Sequence, residues 1–342
     1  MPDLVSLAEI EKAAERLAGV AIRTPLVPFP QTDPDREPLL LVKAESLQPI
    51  GAFKLRGAYA TMAALPPEVR ARGVVAHSSG NHAQAVAYTA RALGVRAVLV
   101  IPHTTPAVKV DACIALGAEV VYVEPTMEAR TGTAEKLAEA HGFTLVPPFD
   151  DPRIIAGQGT VGLEIVQDRP DTEVILVPIS GGGLIAGIAA AAKRVNPLIK
   201  VIGVEPELAA DARASLLAGR PVAWPAEDTA RTSADALRAQ RVGDLTFAHI
   251  RELVDDIITV SEDEIQQAVG RLAREVRLVA EPGGAVATAA FLYRGAELPP
   301  ARTYVSILSG GNVDPSVLAR ILTAQTSGST TQPGGPTAQT GG

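Results

Sequence analysis

Short runs of β-branched and aliphatic residues alternate with Ala-rich stretches of helical spacing along most of this chain. Gly73–His77, Ala97–Ile101 and Glu119–Val123 read as strands, each followed by a helix: Gly80–Leu93, Ala107–Leu116 and about Thr126–His141. A second series has strands at Glu173–Val177, Lys200–Val204 and Tyr304–Leu308, with a helix over Gly183–Val195. Alternating units of this kind predict an α/β fold with two open twisted sheets, parallel in type and flanked by helices. The strands near 74, 97 and 119 lie close together in sequence, while those near 173, 200 and 304 are joined by helices from both chain ends. We therefore expect a small domain over 65–151, inserted into a large one built from 1–64 and 152–322. Ligands of open α/β sheets bind beyond the carboxyl ends of the strands, which places a site in the interdomain cleft. From Thr323 the apolar periodicity stops, so 323–342 is expected to be a disordered tail.

Val174–Ala192 is uncharged and almost long enough to span a bilayer. Pro178 and the glycines 181–183 would interrupt a spanning helix, whereas strand, loop, helix accommodates them.

Composition narrows the function classes. The 342 residues are 47% hydrophobic but only 4% aromatic, so Ala, Val, Leu and Ile must build the core. A net charge of −7 without a long Lys/Arg block argues against nucleic acid or an anionic membrane as main partner. It leaves room for one small anion held by a local loop. Cys113 is the only cysteine and lies in a helical apolar pattern, which reads as a buried thiol in a reducing compartment. With no basic-then-apolar leader at the N-terminus, a cytoplasmic protein is expected.

Four segments fall where a cleft would collect them. Phe53-Lys54-Leu55-Arg56-Gly57 follows a turn at Pro49 and Gly51 and opens an Ala-rich helix. A desolvated lysine there would have the lowered pKa that imine formation needs; a solvated surface lysine is the plain alternative. Ser78-Ser79-Gly80-Asn81-His82 links a strand to a helix, which suits a carboxylate or phosphate at the positive helix end. Its plain alternative is a serine N-cap. Ser180-Gly181-Gly182-Gly183-Leu184 lets backbone N–H groups converge on a phosphate but is neither a dinucleotide fingerprint nor a Walker A loop. Ser309-Gly310-Gly311-Asn312 ends the last strand.

Taken in order with Ile155-Ala-Gly-Gln-Gly-Thr160, these segments resemble the fold type II pyridoxal-phosphate enzymes. The similarity is to the branch of serine/threonine dehydratases and serine racemases, over about residues 5–322. The resemblance implies a tryptophan synthase β-like fold with pyridoxal 5'-phosphate in the cleft. Lys54 would be the Schiff-base lysine and catalytic base, with Phe53 against the cofactor ring and Asn81 on its phenolic oxygen. Ser180, Gly181, Gly182, Gly183 and Leu184 would cradle the phosphate. Ser309 would face the pyridine nitrogen, a neutral partner that biases chemistry toward elimination. Ser78 and His82 would help hold the substrate carboxylate. The implied reaction is α,β-elimination from a small hydroxy amino acid, giving a 2-oxo acid plus ammonia. A homodimer is expected on the same ground.

Within the branch the signals divide. Ser79 is similar to the second acid/base of the racemases, and Arg130 to an arginine near it; a solvated helix face is the alternative for Arg130. Glu205, the Ala209 carbonyl and Asp211 resemble the racemases' loop for a divalent cation, Mg²⁺ or Ca²⁺. Pro147-Pro-Phe149-Asp-Asp151 resembles the bacterial threonine dehydratases, carrying Phe149 where several racemases are polar. We expect a threonine/serine dehydratase first, then a serine racemase with side dehydratase activity, then a 3-hydroxyaspartate ammonia-lyase. A non-catalytic amino-acid-binding module is the contrasting class. The polar tail leaves no room for an isoleucine-binding regulatory domain, so a stand-alone enzyme is expected.

Overall fold

In the computed structural model, residues 3–31, 38–78, 80–105 and 107–327 are described. Their strands run in chain order as β1 (Leu26–Pro28), β2 (Leu39–Ala44), β3 (Val74–His77), β4 (Ala97–Pro102), β5 (Glu119–Val123), β6 (Thr144–Leu145), β7 (Val174–Pro178), β8 (Lys200–Pro206), β9 (Asp256–Val260) and β10 (Thr303–Leu308). They form two sheets, ordered β1-β2-β10-β7-β8-β9 and β5-β4-β3-β6. All pairings are parallel except β1 with β2, so the α/β reading with two parallel-type sheets is observed. Pro28 is tolerated because β1 is an edge strand.

Both faces of the larger sheet are buried, which explains its nearly continuous apolar strands. Val174, Leu176, Ile202, Val204 and Ile258 pack on one face, and Ile175, Val177, Val201 and Ile257 on the other. The helices Pro152–Asp168 and Gly183–Val195 cross so closely that a Cβ at Gly187 would strike the Ile155 carbonyl oxygen and the Gly159 backbone. Val174–Ala192 is therefore a core strand and a core helix, and no described helix is long and apolar enough to cross a membrane.

Two expectations need correction. The helix Pro315–Ser327 carries order past Thr323, packing against the helix Glu262–Arg271, with Val317, Leu318 and Ile321 joining the core. The rest of the expected tail, 328–342, lies outside the described residues. Sequence patterning also missed β1, β2, β6 and β9. β2 is a central strand, yet it carries a charge at Lys43 that is fully buried.

That charge belongs to a closed cluster. Lys43 Nζ donates to Glu164 Oε2 at 2.6 Å and to the Thr24 carbonyl at 2.7 Å. Arg56 grips Glu45 through Nε and Nη2, both at 2.8 Å, and Glu164 through Nη1 at 2.6 Å. Two cations thus face two anions, fastening β2 and the helix Pro152–Asp168 to the helix Lys54–Ala63.

Because β2, β10, β7 and β8 are parallel, their carboxyl ends share one edge of the sheet. The segments that follow them carry Lys54, Ser309, the glycines 181–183 and Asp211, and Glu205 lies at the end of β8 itself. The carboxyl end of β3 supplies Ser78 and Asn81 from the smaller sheet.

Candidate active site

Lys54 is the first residue of the helix Lys54–Ala63. The turn before it is stitched to the end of β10: Phe53 N–H donates to Ser309 O at 3.0 Å, and Gly311 N–H to Gly51 O at 2.9 Å. Gly51 needs its left-handed φ of +71°, and the Asn312 side chain fills the space a Cβ would take. Lys54 Nζ donates to the Pro148 carbonyl at 2.6 Å and stands 5.2 Å from the Phe53 ring centroid. Desolvation lowers its pKa to about 8. A half-buried, hydrogen-bonded amine of this kind differs from a solvated surface lysine.

Asn81 opens the helix Asn81–Leu93. Its Nδ2 donates to Glu281 Oε1 at 2.7 Å, and its Oδ1 accepts from Asn312 Nδ2 at 2.8 Å. The N-cap is Gly80, with no side-chain cap hydrogen bond, so the serine-cap alternative is not what forms. Ser78 Oγ accepts from Gly80 N–H at 3.3 Å. His82 is buried, with Nε2 2.9 Å from the Val146 carbonyl. Burial, and then the Lys54 charge, drive its pKa down to about 3. Its neutral ring turns inward, to the Val146 carbonyl. Ser79 lies outside the described residues. Arg130 donates from Nε to Thr126 O at 3.3 Å, and its charge, after burial, helps lower the His77 pKa.

The glycine segment lies between β7 and the helix Gly183–Val195. Gly182 is the N-cap at φ +90°, and no side chain caps that helix. Thr246 Oγ1 donates to Gly181 O at 2.7 Å. The Phe149 ring lies where a Cβ on Gly181 would be, and the Phe149 backbone closes on Gly183. Asp150 fixes that segment by accepting the N–H groups of Leu245 at 3.0 Å and Thr246 at 3.1 Å. Ser180 Oγ accepts from Ala239 N–H at 3.3 Å, and Leu184 and Ser309 are buried.

Gln158 and Thr160 are buried against the helix Lys54–Ala63. Gln158 Oε1 accepts from Gly57 N–H at 3.3 Å, and Thr160 Oγ1 from Arg56 Nη1 at 3.1 Å. Cys113 is buried, which pushes its thiol up to about 11, away from thiolate chemistry.

Glu205 and Asp211 are buried together near the carboxyl end of β8. Glu205 accepts the N–H groups of Ala212 at 2.9 Å and Arg213 at 2.8 Å. Asp211 Oδ2 has no partner among the described residues. Burial, followed by Asp211's charge, raises the Glu205 pKa; burial raises that of Asp211 to about 7. No group of three His, Cys, Asp or Glu side chains assembles among the described residues, so a cation here would need carbonyl or water ligands as well.

Sequence reasoning missed Glu281. It stands before Pro282, at a helix start, and reads there as an ordinary first-turn acid. Pro148 was also missed, since a backbone carbonyl leaves no signature in sequence.

The chain is 39% identical over 319 residues to an L-threonine ammonia-lyase of Thermotoga maritima, covering 93% of this chain and 78% of that one. It is 38% identical over 322 residues to an L-threo-3-hydroxyaspartate ammonia-lyase of Saccharomyces cerevisiae, covering 94% and 98%. The structure of maize serine racemase superposes with a TM-score of 0.88 at 37% identity, covering 95% of this chain and 99% of that one. Residues 17–310 match the family described as pyridoxal-phosphate dependent enzyme. With Lys54 held by the Pro148 carbonyl, Phe149 packed on the glycine-bounded helix start and residues 17–310 matched, this chain belongs to the pyridoxal-phosphate-dependent enzyme family.

Proposed function

We propose that the chain is an L-threonine/L-serine dehydratase, which eliminates water and then hydrolyses the product to release ammonia and 2-oxobutanoate or pyruvate. The observation that carries this reading is Lys54: a desolvated amine with a pKa of about 8, beside the Phe53 ring and bonded to the Pro148 carbonyl, next to the Phe149 that packs on Gly181. Pyridoxal phosphate bound there supplies the electron sink that acidifies the substrate α-proton. The uncapped N–H groups from Gly181 to Leu184 suit its phosphate, and Asn81 Nδ2 its phenolic oxygen. Phe53 would pack against its ring, and Ser309 would partner the pyridine nitrogen. Lys54 would take the α-proton, the β-hydroxyl would pick up a proton and leave as water, and a water molecule added to the remaining C=N bond would release ammonia and the 2-oxo acid. The backbone at Ser78 and His82 holds the substrate carboxylate.

The resemblance of Pro147-Pro-Phe149-Asp-Asp151 to the bacterial threonine dehydratases supports elimination as the first reading. A serine racemase remains the second reading, with Ser79 as acid/base on the opposite face and Arg130 beside it. A 3-hydroxyaspartate ammonia-lyase ranks third. Residues 65–151 would close as the small domain over the substrate. Glu205, Asp211 and the Ala209 carbonyl suit Mg²⁺ or Ca²⁺, since a cation would partner Asp211 Oδ2 and relieve two crowded carboxyls. A cytoplasmic homodimer goes with the same reading.

The test is direct. Purified protein incubated with pyridoxal phosphate should absorb near ~410 nm, and Lys54→Ala should abolish the band. A colourless wild type removes the enzyme reading and leaves an amino-acid-binding module. Quantifying 2-oxo acid and D-serine from L-serine and L-threonine ranks the activities. D-serine as main product, lost in Ser79→Ala while 2-oxo acid persists, reverses the order.

A further inference from the structure

Glu281 occupies the N-cap of the helix Pro282–Tyr293, yet its side chain does not cap that helix. It is 3% exposed, and Oε1 accepts from Asn81 Nδ2 at 2.7 Å. Its own N–H donates to Gly310 O at 3.1 Å, and its carboxyl occupies the space a side chain at 310 would need.

The direction of this bond follows from donor counting. Asn312 Nδ2 lies 2.9 Å from the Ile50 carbonyl, a group that can only accept, so that atom must be the amide nitrogen. The same nitrogen donates to Asn81 at 2.8 Å, which therefore presents its oxygen to Asn312. Asn81 must then present Nδ2 to Glu281. One Nδ2 hydrogen goes to the carboxyl, and one is left to give.

We propose that Glu281 is a positioning residue for the cofactor: it locks the Asn81 amide so that the remaining N–H serves the phenolic oxygen, and its proton sets the charge beside that oxygen. This rests on the reading that Lys54 and Asn81 hold pyridoxal phosphate. Charged groups acting on the carboxyl are Asp235 and, more weakly, Lys109, which pair with each other at 2.6 Å. Burial first, and Asp235 second, push its pKa up to about 8. Near neutrality it accepts from Asn81 as a neutral acid; above that it adds a negative charge to the site.

Pyridoxal phosphate is titrated into the cofactor-free full chain, following absorbance from pH 6 to 9.5, for wild type, Glu281→Gln and Glu281→Leu. Glu281→Gln keeps a neutral acceptor, so its affinity at pH 7 should stay within about threefold of wild type, with a flattened alkaline limb in the absorbance profile. Glu281→Leu leaves Asn81 unpaired and should bind about tenfold more weakly. Glu281→Leu matching wild type in affinity and profile overturns the proposal, as does Glu281→Gln losing affinity as Glu281→Leu does. If the leucine variant does not fold, the glutamine variant decides: an altered alkaline limb supports the role, and an identical one refutes it. A wild type that takes up no cofactor refutes instead the assignment of Lys54 and Asn81.

Discussion

Replacing Glu45 by Gln perturbs the buried cluster behind Lys54 with a change of a single atom. In the wild type, Lys43, Arg56, Glu45 and Glu164 balance two positive charges with two negative ones, and Lys43, Glu45 and Arg56 are almost wholly buried. The amide leaves one uncompensated cation. It also turns one of the two oxygens held by Arg56 into a donor, which faces a guanidinium that cannot accept. Breaking a buried pair from one side costs about 3–5 kcal/mol. At roughly 2 °C per kcal/mol for a chain of this size, the melting temperature should fall by about 6–10 °C. Removing a positive charge as well, in Lys43→Met/Glu45→Gln, should recover part of that loss. The acid limb adds a second check. Arg56, Lys43 and Thr24 outweigh desolvation and hold the folded Glu45 pKa below its ordinary value. Its stabilisation is thus present above the unfolded pKa and lost as pH falls through the lower folded value. Scanning calorimetry of the three proteins between pH 3 and 7 measures both effects. A loss under about 1 kcal/mol, or a double variant no better than Glu45→Gln, would refute the charge-balance account.

Three further outcomes follow from geometry. Gly187→Ala should cost at least about 1–3 kcal/mol by denaturant melt, because the new methyl meets backbone at Ile155 and Gly159. Arg277 is the only described non-glycine residue with positive φ, at 64°, so Arg277→Gly should be stabilising by up to about 1 kcal/mol, with activity unchanged. If a divalent cation joins Glu205 and Asp211, chelation should lower the melting temperature, and Mg²⁺ or Ca²⁺ should restore it in wild type but not in Asp211→Asn. No response to chelator argues against the cation.

The strands with unbroken aliphatic runs, such as Val174–Val177, were legible because both faces are buried. β2 was not, since Lys43 interrupts its pattern and the distant Glu164, with the Thr24 carbonyl, makes that charge tolerable. The glycine segment and Lys54 were legible because backbone approach and imine chemistry constrain residue type directly. Glu281 was not, because its meaning lies in an amide 200 positions away. Arg56 likewise shows no outward sign of burial: its carboxylates come from the end of β2 and from a helix about 100 residues on. Such features come from long-range pairing, which local pattern does not encode.

The central place of β10 between β2 and β7 has a consequence for how the chain comes into being. The smaller sheet uses consecutive sequence from Val74 to Leu145 and can close its pairings while the ribosome is still adding residues. The larger sheet must wait for Leu308, leaving β2 and β7 each with one open edge until β10 has been made. A nascent chain stalled before Thr303 would expose those edges, making it a substrate for chaperones and a seed for aggregation.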